Sequence, residues 1–300
     1  MSKGSLAAVA LTMALVQPAV AEQGWTDARG LSKSAEGTPS VSLNSVVFPE
    51  GKLVWVVGSN GYVASSTDGS TWVAASKLVD TELNDVFFRD AQHGWVVGND
   101  GWVLRTDDGG ATWRSSQIEP VGVDSTPARH VDLYSIHFVD KNNGWIAGDE
   151  GALYATQNGG ASWFEQRSGT RAQLFNVHFN DKKHGWAVGT KGTILRTVDG
   201  GMTWVIRPQS TRADLNDVFF VDNDHGVITG DEGILLTTSN SGEIWKRADV
   251  PAKGRLLGIC FSGKKNGWVV GYGGFIARTG DAGASWTMQE SGTASNLYSV

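Results

Sequence analysis

The sequence predicts an all-β protein: a β-propeller of four-stranded blades, with six complete blades plus a partial seventh, of the seven-bladed type. A leucine-led segment such as LNDVFF (83–88) occurs six times in full, and LYSV (297–300) begins a seventh copy. The leading leucines are Leu43, Leu83, Leu133, Leu174, Leu215, Leu256 and Leu297. Five of their six spacings are 40 or 41 residues, a period that is typical of propeller blades. The 39 glycines favour tightly turned strands over helices.

The first element in chain order is an export signal. Lys3 provides a positive charge, Leu6 to Val16 form an apolar core, and Ala19 to Ala21 give a small-x-small cleavage site. This apolar core is too short to span a bilayer. The expected domains are therefore a signal peptide over residues 1–21 and a propeller over residues 22–300. We expect a protein that is exported to a periplasm or an equivalent lumen and does not span the membrane.

Each repeat divides into four strands, A to D. In the second repeat these are LNDVFF (83–88), HGWVVG (93–98), GWVLRT (101–106) and TWRSS (112–116). Their glycine-rich connections are too short for helices, and four antiparallel strands make one blade. The seventh repeat stops inside strand A, while GWT (24–26) has the pattern of an isolated strand D that would close the last blade.

The turn between strands C and D is the most regular motif, as in RTDDGGATW (105–113). Its middle residue is an Asp or Asn, a type that accepts backbone N–H bonds within its own turn. These residues are Asp68, Asp108, Asn158, Asp199, Asn240 and Asp281. Six copies around a ring favour scaffolding over six separate sites, so we interpret the motif as structural.

This turn resembles the Asp-box of BNR repeats, S/T-x-D-x-G-x-T-W. The match is closest at Thr106, Asp108, Gly110, Thr112 and Trp113. With the GWxVG strand and one box per repeat, residues 25–300 are similar to the photosystem II assembly and stability factor family. The resemblance implies a non-catalytic propeller of the thylakoid lumen or periplasm. It also implies a protein partner, such as a membrane-complex subunit or its exported segment.

A partner site is predicted on the face formed by the B–C and D–A connections. Arginines precede strand A in four successive repeats, so they would form an arc around the channel mouth. They are Arg129, Arg171, Arg212 and Arg255. Arginine makes bidentate contacts with carboxylates, which suits an acidic or extended peptide. The alternative is local pairing with acids of the B–C turns, namely Asp149, Glu150, Asp231 and Glu232.

Other function classes are less well supported. The net charge of −6 argues against nucleic acid as a partner. No cofactor and no metal site is predicted, because the sequence has no metal-ligand cluster, nucleophile elbow or phosphate loop. The alternative function is a sialidase-like glycoside hydrolase, since those propellers also carry Asp-boxes. The two strand-A tyrosines, Tyr134 and Tyr298, occupy a repeat position and the inner strands lack arginine, so we expect no enzyme.

Overall fold

The computed structural model describes residues 12–13, 26–27, 41–49, 53–119, 130–208 and 211–300. Among them, six four-stranded antiparallel sheets follow one another along the chain, each in the order A-B-C-D. A separate two-stranded sheet pairs Thr12–Met13 with Thr26–Asp27. The predicted signal peptide, apart from residues 12–13, lies outside the described residues. The described residues thus form an all-β propeller with six four-stranded blades.

The strand bounds show how regular the blades are. Strand A spans Leu43–Val47, Leu83–Phe88, Leu133–Phe138, Leu174–Phe179, Leu215–Phe220 and Leu256–Ser262. Strand B spans Val54–Gly58, Gly94–Gly98, Gly144–Gly148, Gly185–Gly189, Gly226–Gly230 and Asn266–Gly271. Strand C spans Tyr62–Ser66, Trp102–Thr106, Leu153–Thr156, Thr193–Thr197, Leu235–Thr238 and Ile276–Thr279. Strand D spans Val73–Ala74, Arg114–Gln117, Phe164–Gln166, Val205–Ile206, Lys246–Arg247 and Thr287–Gln289.

The predicted partial seventh blade is wrong. Residues 297–300 form no strand, and Leu297 is instead buried against Trp268 and Ile276 of blade six. A strand is defined by backbone pairing, and within the described part of the chain residues 297–300 make a single backbone hydrogen bond to blade six, from the Leu297 N–H to the Gly271 carbonyl at 3.1 Å. Of the predicted closing strand D, residues 24–25 lie outside the described residues, and Thr26–Asp27 pairs with Thr12–Met13.

Neighbouring blades pack through aromatic side chains. The Trp of strand B in one blade stacks on the Phe that closes strand A in the next blade. The ring-centroid distances are 3.7 Å for Trp95–Phe138, 3.6 Å for Trp145–Phe179 and 3.5 Å for Trp186–Phe220. The Trp that ends the Asp-box meets the same Phe edge-on, as Trp245 does with Phe220. Each of these interfaces therefore holds a three-ring cluster, an arrangement that aromatic rings prefer.

Close approaches at both ends of strand B explain the G-W-x-V-G pattern. A Cβ placed on Gly185 would lie 2.3 Å from the Phe179 ring, and one on Gly189 would lie 1.8 Å from the Gln173 carbonyl oxygen. Any larger residue would push strand A away from strand B. These two glycines are required by packing.

We expect Trp186→Ala to lower the free energy of unfolding by about 3–5 kcal/mol, the usual range for a fully buried Trp. Trp186 is fully buried, stacks on Phe220 and donates its Nε1–H to the Ser241 carbonyl of the next blade. Urea unfolding measures the change, with Met202→Ala as a control because Met202 is 84% exposed. Equal unfolding midpoints for the two variants would contradict the prediction.

Candidate functional site

The Asp-box of blade two is a closed hydrogen-bond network. The buried Thr106 hydroxyl donates to Asp108 Oδ1 at 2.8 Å and accepts the Gly110 N–H at 2.8 Å. Asp108 accepts the backbone N–H of Thr112 at 2.8 Å and its hydroxyl at 2.6 Å. These bonds to Thr112 and Thr106 lower the pKa of Asp108 to about 2. The turn is therefore satisfied by its own residues.

The other boxes repeat these contacts with small changes. Asp199 and Asp281 accept the same two bonds from the Thr or Ser four residues later, whereas Asn158 accepts the Ser162 N–H and donates to its hydroxyl. Asn240 accepts the Ile244 N–H, and Asp68 sits in a box one residue shorter. This geometry supports the structural interpretation, which stays a prediction until the boxes are mutated.

The boxes also join adjacent blades, which the sequence alone did not indicate. The strand-B Trp of one blade donates its Nε1–H to a box carbonyl of the following blade. The bonds run from Trp95 to Gly159 O at 2.9 Å, from Trp145 to Gly200 O at 3.0 Å, and from Trp186 to Ser241 O at 3.0 Å. The box thus presents an acceptor to its neighbour as well as folding its own turn.

On the opposite face, the B–C turns pack against the loops that enter strand A. The Asn99 N–H donates to the Glu82 carbonyl at 2.9 Å, and the Asp231 N–H donates to the Asp214 carbonyl at 2.8 Å. The turns span Ser59–Gly61, Asn99–Gly101, Asp149–Gly151, Thr190–Gly192, Asp231–Gly233 and Tyr272–Gly274. These bonds bring Arg171, Arg212 and Arg255 and the turn residues onto one face.

The structure places the predicted arginines in different surroundings. Arg171 and Arg212 are exposed, and among the described residues neither forms an ion pair. Arg255 is partly buried, donates its Nε–H to Asp231 at 2.6 Å, and lies 5.5 Å from the Tyr272 ring centroid. Arg129 lies outside the described residues. Local pairing, the alternative, is therefore found for Arg255.

Sequence reasoning missed Lys191, which stands at the tip of the blade-four turn. It is exposed, with a positive φ of 58°, and forms no ion pair within the described part of the chain. The equivalent residues elsewhere are Asn60, Asp100, Glu150, Glu232 and Gly273. Comparing the turns across repeats would have revealed this cation. Lys191, Arg171 and Arg212 surround the inner end of blade four, and we call them the cationic set.

The rest of this face is more acidic. Blades two and three carry Glu82, Asp100, Asp132, Asp149 and Glu150 on their turns and entering loops. The cationic set lies around blade four, where Asp214 is also present, since its Oδ1 accepts the Lys191 backbone N–H at 2.8 Å. A ligand with carboxylates would meet attraction over blade four and repulsion over blades two and three. An open cavity of about 600 Å³ adjoins Arg255 and Tyr272 on blade six.

Two carboxylates line the inner ring of strands and were not singled out from the sequence. Asp85 Oδ1 accepts the Ser45 hydroxyl at 2.8 Å, and its Oδ2 accepts the Ile136 N–H of the next blade at 2.9 Å. Asp217 accepts the Ile259 N–H at 2.8 Å in the same way. Enclosure by protein raises the pKa of Asp85 to about 6 and that of Asp217 to about 7. Both carboxylates are used to link blades.

The described residues contain neither a metal-binding cluster nor a membrane-spanning helix. No group of three or more His, Cys, Asp or Glu side chains among the described residues is placed to hold a metal ion. His93, His184 and His225 each contact the Asp three residues earlier, within the A–B turn. Over the described ranges, no helix has the length and hydropathy needed to cross a membrane.

The sequence profile of the family described as "Photosynthesis system II assembly factor YCF48" matches residues 70–167 and 165–254. Together these segments cover more than half of the chain. A search of curated proteins found no significant match.

Several solved structures share the fold. YCF48 from Cyanidioschyzon merolae is 21% identical with a TM-score of 0.65, over 86% of this chain and 88% of that one. YCF48 bound to D1 peptide is 21% identical with a TM-score of 0.64, over 83% and 80%. The Niastella koreensis GH74 enzyme is 13% identical with a TM-score of 0.66, over 83% and 45%. At these identities the likeness establishes the fold alone.

We expect Thr106→Val to destabilise the protein by about 1–3 kcal/mol, the range for leaving a buried donor without its acceptor. Valine keeps the shape of threonine but leaves the Gly110 N–H unbonded. Thermal or urea unfolding measures the loss, and Thr112→Val is the matched control at an exposed position of the same box. If Thr106→Val instead removed partner binding without lowering stability, the box would be a binding site.

We expect Asp217→Asn to change the pH dependence of stability. Because the pKa of folded Asp217 is raised to about 7, its contribution is fully present below about pH 4, the unfolded pKa, and is lost as the pH rises through about 7. The stability of Asp217→Asn relative to wild type should therefore rise between pH 4 and pH 8. One unit of difference in pKa corresponds to about 1.4 kcal/mol, so the relative stability should rise by more than about 1 kcal/mol. Urea unfolding of both proteins across this range tests it, and a constant difference would contradict it.

Proposed function

The chain belongs to the photosystem II assembly factor YCF48 family, and we propose that it is a non-catalytic module that binds a protein segment of a photosystem II subunit. The observation that carries this proposal is the cationic set. Three exposed cations without an ion pair in the described structure stand together on a chain of net charge −6. Such cations are costly to gather unless a ligand carries the opposite charge.

The chemistry of the cationic set fits a peptide with carboxylates. Arg171 and Arg212 present planar guanidinium groups for bidentate contacts, and Lys191 adds a point charge between them along the chain. The family supplies a precedent, since a solved YCF48 is bound to a D1 peptide. We propose that this chain binds the same class of partner, an extended segment of a membrane-complex subunit. Arg129 and Arg255 would extend the site along the arc.

Two further aspects belong to the proposal. The pattern in residues 1–21 supports export, so the disc would meet its partner on the lumenal or periplasmic side.

A binding role without catalysis is supported by the use of Asp85 and Asp217 as links between blades. A sialidase-like enzyme would need a tyrosine nucleophile. Tyr134 instead packs against Phe175, with the two ring centroids 5.8 Å apart. The GH74 enzyme shares only the fold.

We expect the double change Arg171→Glu and Arg212→Glu to weaken binding to synthetic D1 peptides by more than about tenfold, since each charge-assisted bond contributes about 1.5–3 kcal/mol. Wild-type binding should also weaken with added salt, because exposed charges are screened beyond about 8–10 Å. Fluorescence anisotropy measures both effects.

The matched control is Lys246→Glu with Arg247→Glu, which makes the same charge change on the outer strand of blade five. It should keep the wild-type affinity. Circular dichroism shows that each variant is folded. Equal affinity of wild type and the Arg171/Arg212 variant at low salt would refute the proposed site.

A further inference from the structure

The second residue of strand A is Asn in three blades, where it ties one blade to the next at the channel mouth. The side-chain amide of Asn44 donates to the Leu83 carbonyl at 2.8 Å, and that of Asn84 donates to the Leu133 carbonyl at 2.7 Å. Asn216 makes the same bond to the Leu256 carbonyl at 2.8 Å. Asparagine is therefore the residue that the fold favours at this position.

Blades three and four place aromatic residues there instead. Tyr134 and Phe175 are partly exposed, with ring centroids 5.8 Å apart and planes tilted by 60°. Phe175 has no donor for the next blade, and the Tyr134 hydroxyl contacts the Gln173 amide at 3.4 Å. Blades three and four thus lack this asparagine and have aromatic side chains at the mouth of the channel instead. Blade six has Leu257 at this position, whereas blades three and four are neighbours that both carry an aromatic ring, and departures from a repeated pattern are expected at functional sites.

The aromatic pair adjoins the cationic set. Gln173, the contact of Tyr134, lies two residues after Arg171 in the loop that enters blade four. Phe175 lies in strand A of the same blade, whose B–C turn carries Lys191. An extended peptide held by these cations would pass over the two rings. Its side chains would alternate between opposite sides of its backbone.

We propose that Tyr134 and Phe175 form an apolar subsite that selects a partner segment in which an apolar side chain stands beside carboxylates. This inference rests on the proposed function. Partly exposed aromatic rings offer a large contact area, and such rings are common anchors at protein interfaces. The cationic set would bind the neighbouring carboxylates, so the site recognises an apolar side chain and carboxylates in the same segment.

The probes are two synthetic acidic peptides with Gly at every second position, and the positions between are Glu, Leu and Glu in one peptide and Glu, Ser and Glu in the other, so that these side chains share one side of an extended backbone. Wild type should bind the Leu peptide about tenfold or more tightly than the Ser peptide, a difference of about 1.4 kcal/mol. Tyr134→Asn with Phe175→Asn should lose that preference and bind both peptides as wild type binds the Ser peptide. The variant should fold, because it restores the residue of blades one, two and five.

Leu257→Asn is the matched control, since it makes the same kind of change in blade six, away from the cationic set. It should keep the preference for the Leu peptide. The wild-type measurement alone is decisive if the Asn variant does not fold, because equal affinity for the two peptides overturns the subsite.

The outcomes separate the two proposals. If the Asn variant keeps the preference while Arg171→Glu with Arg212→Glu loses binding, the subsite is wrong and the proposed function stands. If the arginine variant also binds both peptides like wild type, the proposed function fails.

Discussion

The insertion of the strand-B tryptophan into the next blade is the contact on which the rest of the propeller depends. Trp186 stacks on Phe220 and donates its indole N–H to the Ser241 carbonyl, so one side chain satisfies both packing and hydrogen bonding across the interface. Gly185, beside it, leaves room for the ring of Phe179, on which Trp145 of the preceding blade stacks. The box supplies the acceptor. Together, these contacts explain why most repeats keep the glycine, the tryptophan and the box, with Val54 in place of the glycine in blade one and Val227 in place of the tryptophan in blade five.

A second set of links joins the blades at the channel. Because the register shifts between the first and third residues of strand A, the backbone N–H of the fourth residue can turn toward the preceding blade. Side chains such as Asp85 accept it there. Enclosed carboxylates make strong acceptors, but ionising them away from water is unfavourable, which is why their pKa is raised. The inner ring is therefore held by bonds whose strength depends on protonation.

These two sets of links leave one face free to vary. The B–C turns need only a backbone that reaches a positive φ, so their tips carry residues as different as Asp100 and Lys191. The loops that enter strand A contact the turns through backbone atoms and through acidic side chains such as Asp214, whereas Arg171 and Arg212 are exposed and form no ion pair within the described structure. The cations there, beside the aromatic residues Tyr134 and Phe175, are the residues that we propose to bind the partner.

The sequence by itself determined the blade, because its strands and turns are local and recur at 40 or 41 residues. It located the Asp-boxes and Arg171 and Arg212 for the same reason. It could not decide the number of blades, since Leu297 begins the motif but packs on blade six without strand pairing. Nor could it show that Arg255 is paired with Asp231 while Lys191 is not, because those contacts join residues brought together only when the blades assemble. Local periodicity specifies the repeat, whereas contacts distant in sequence decide which charges remain free.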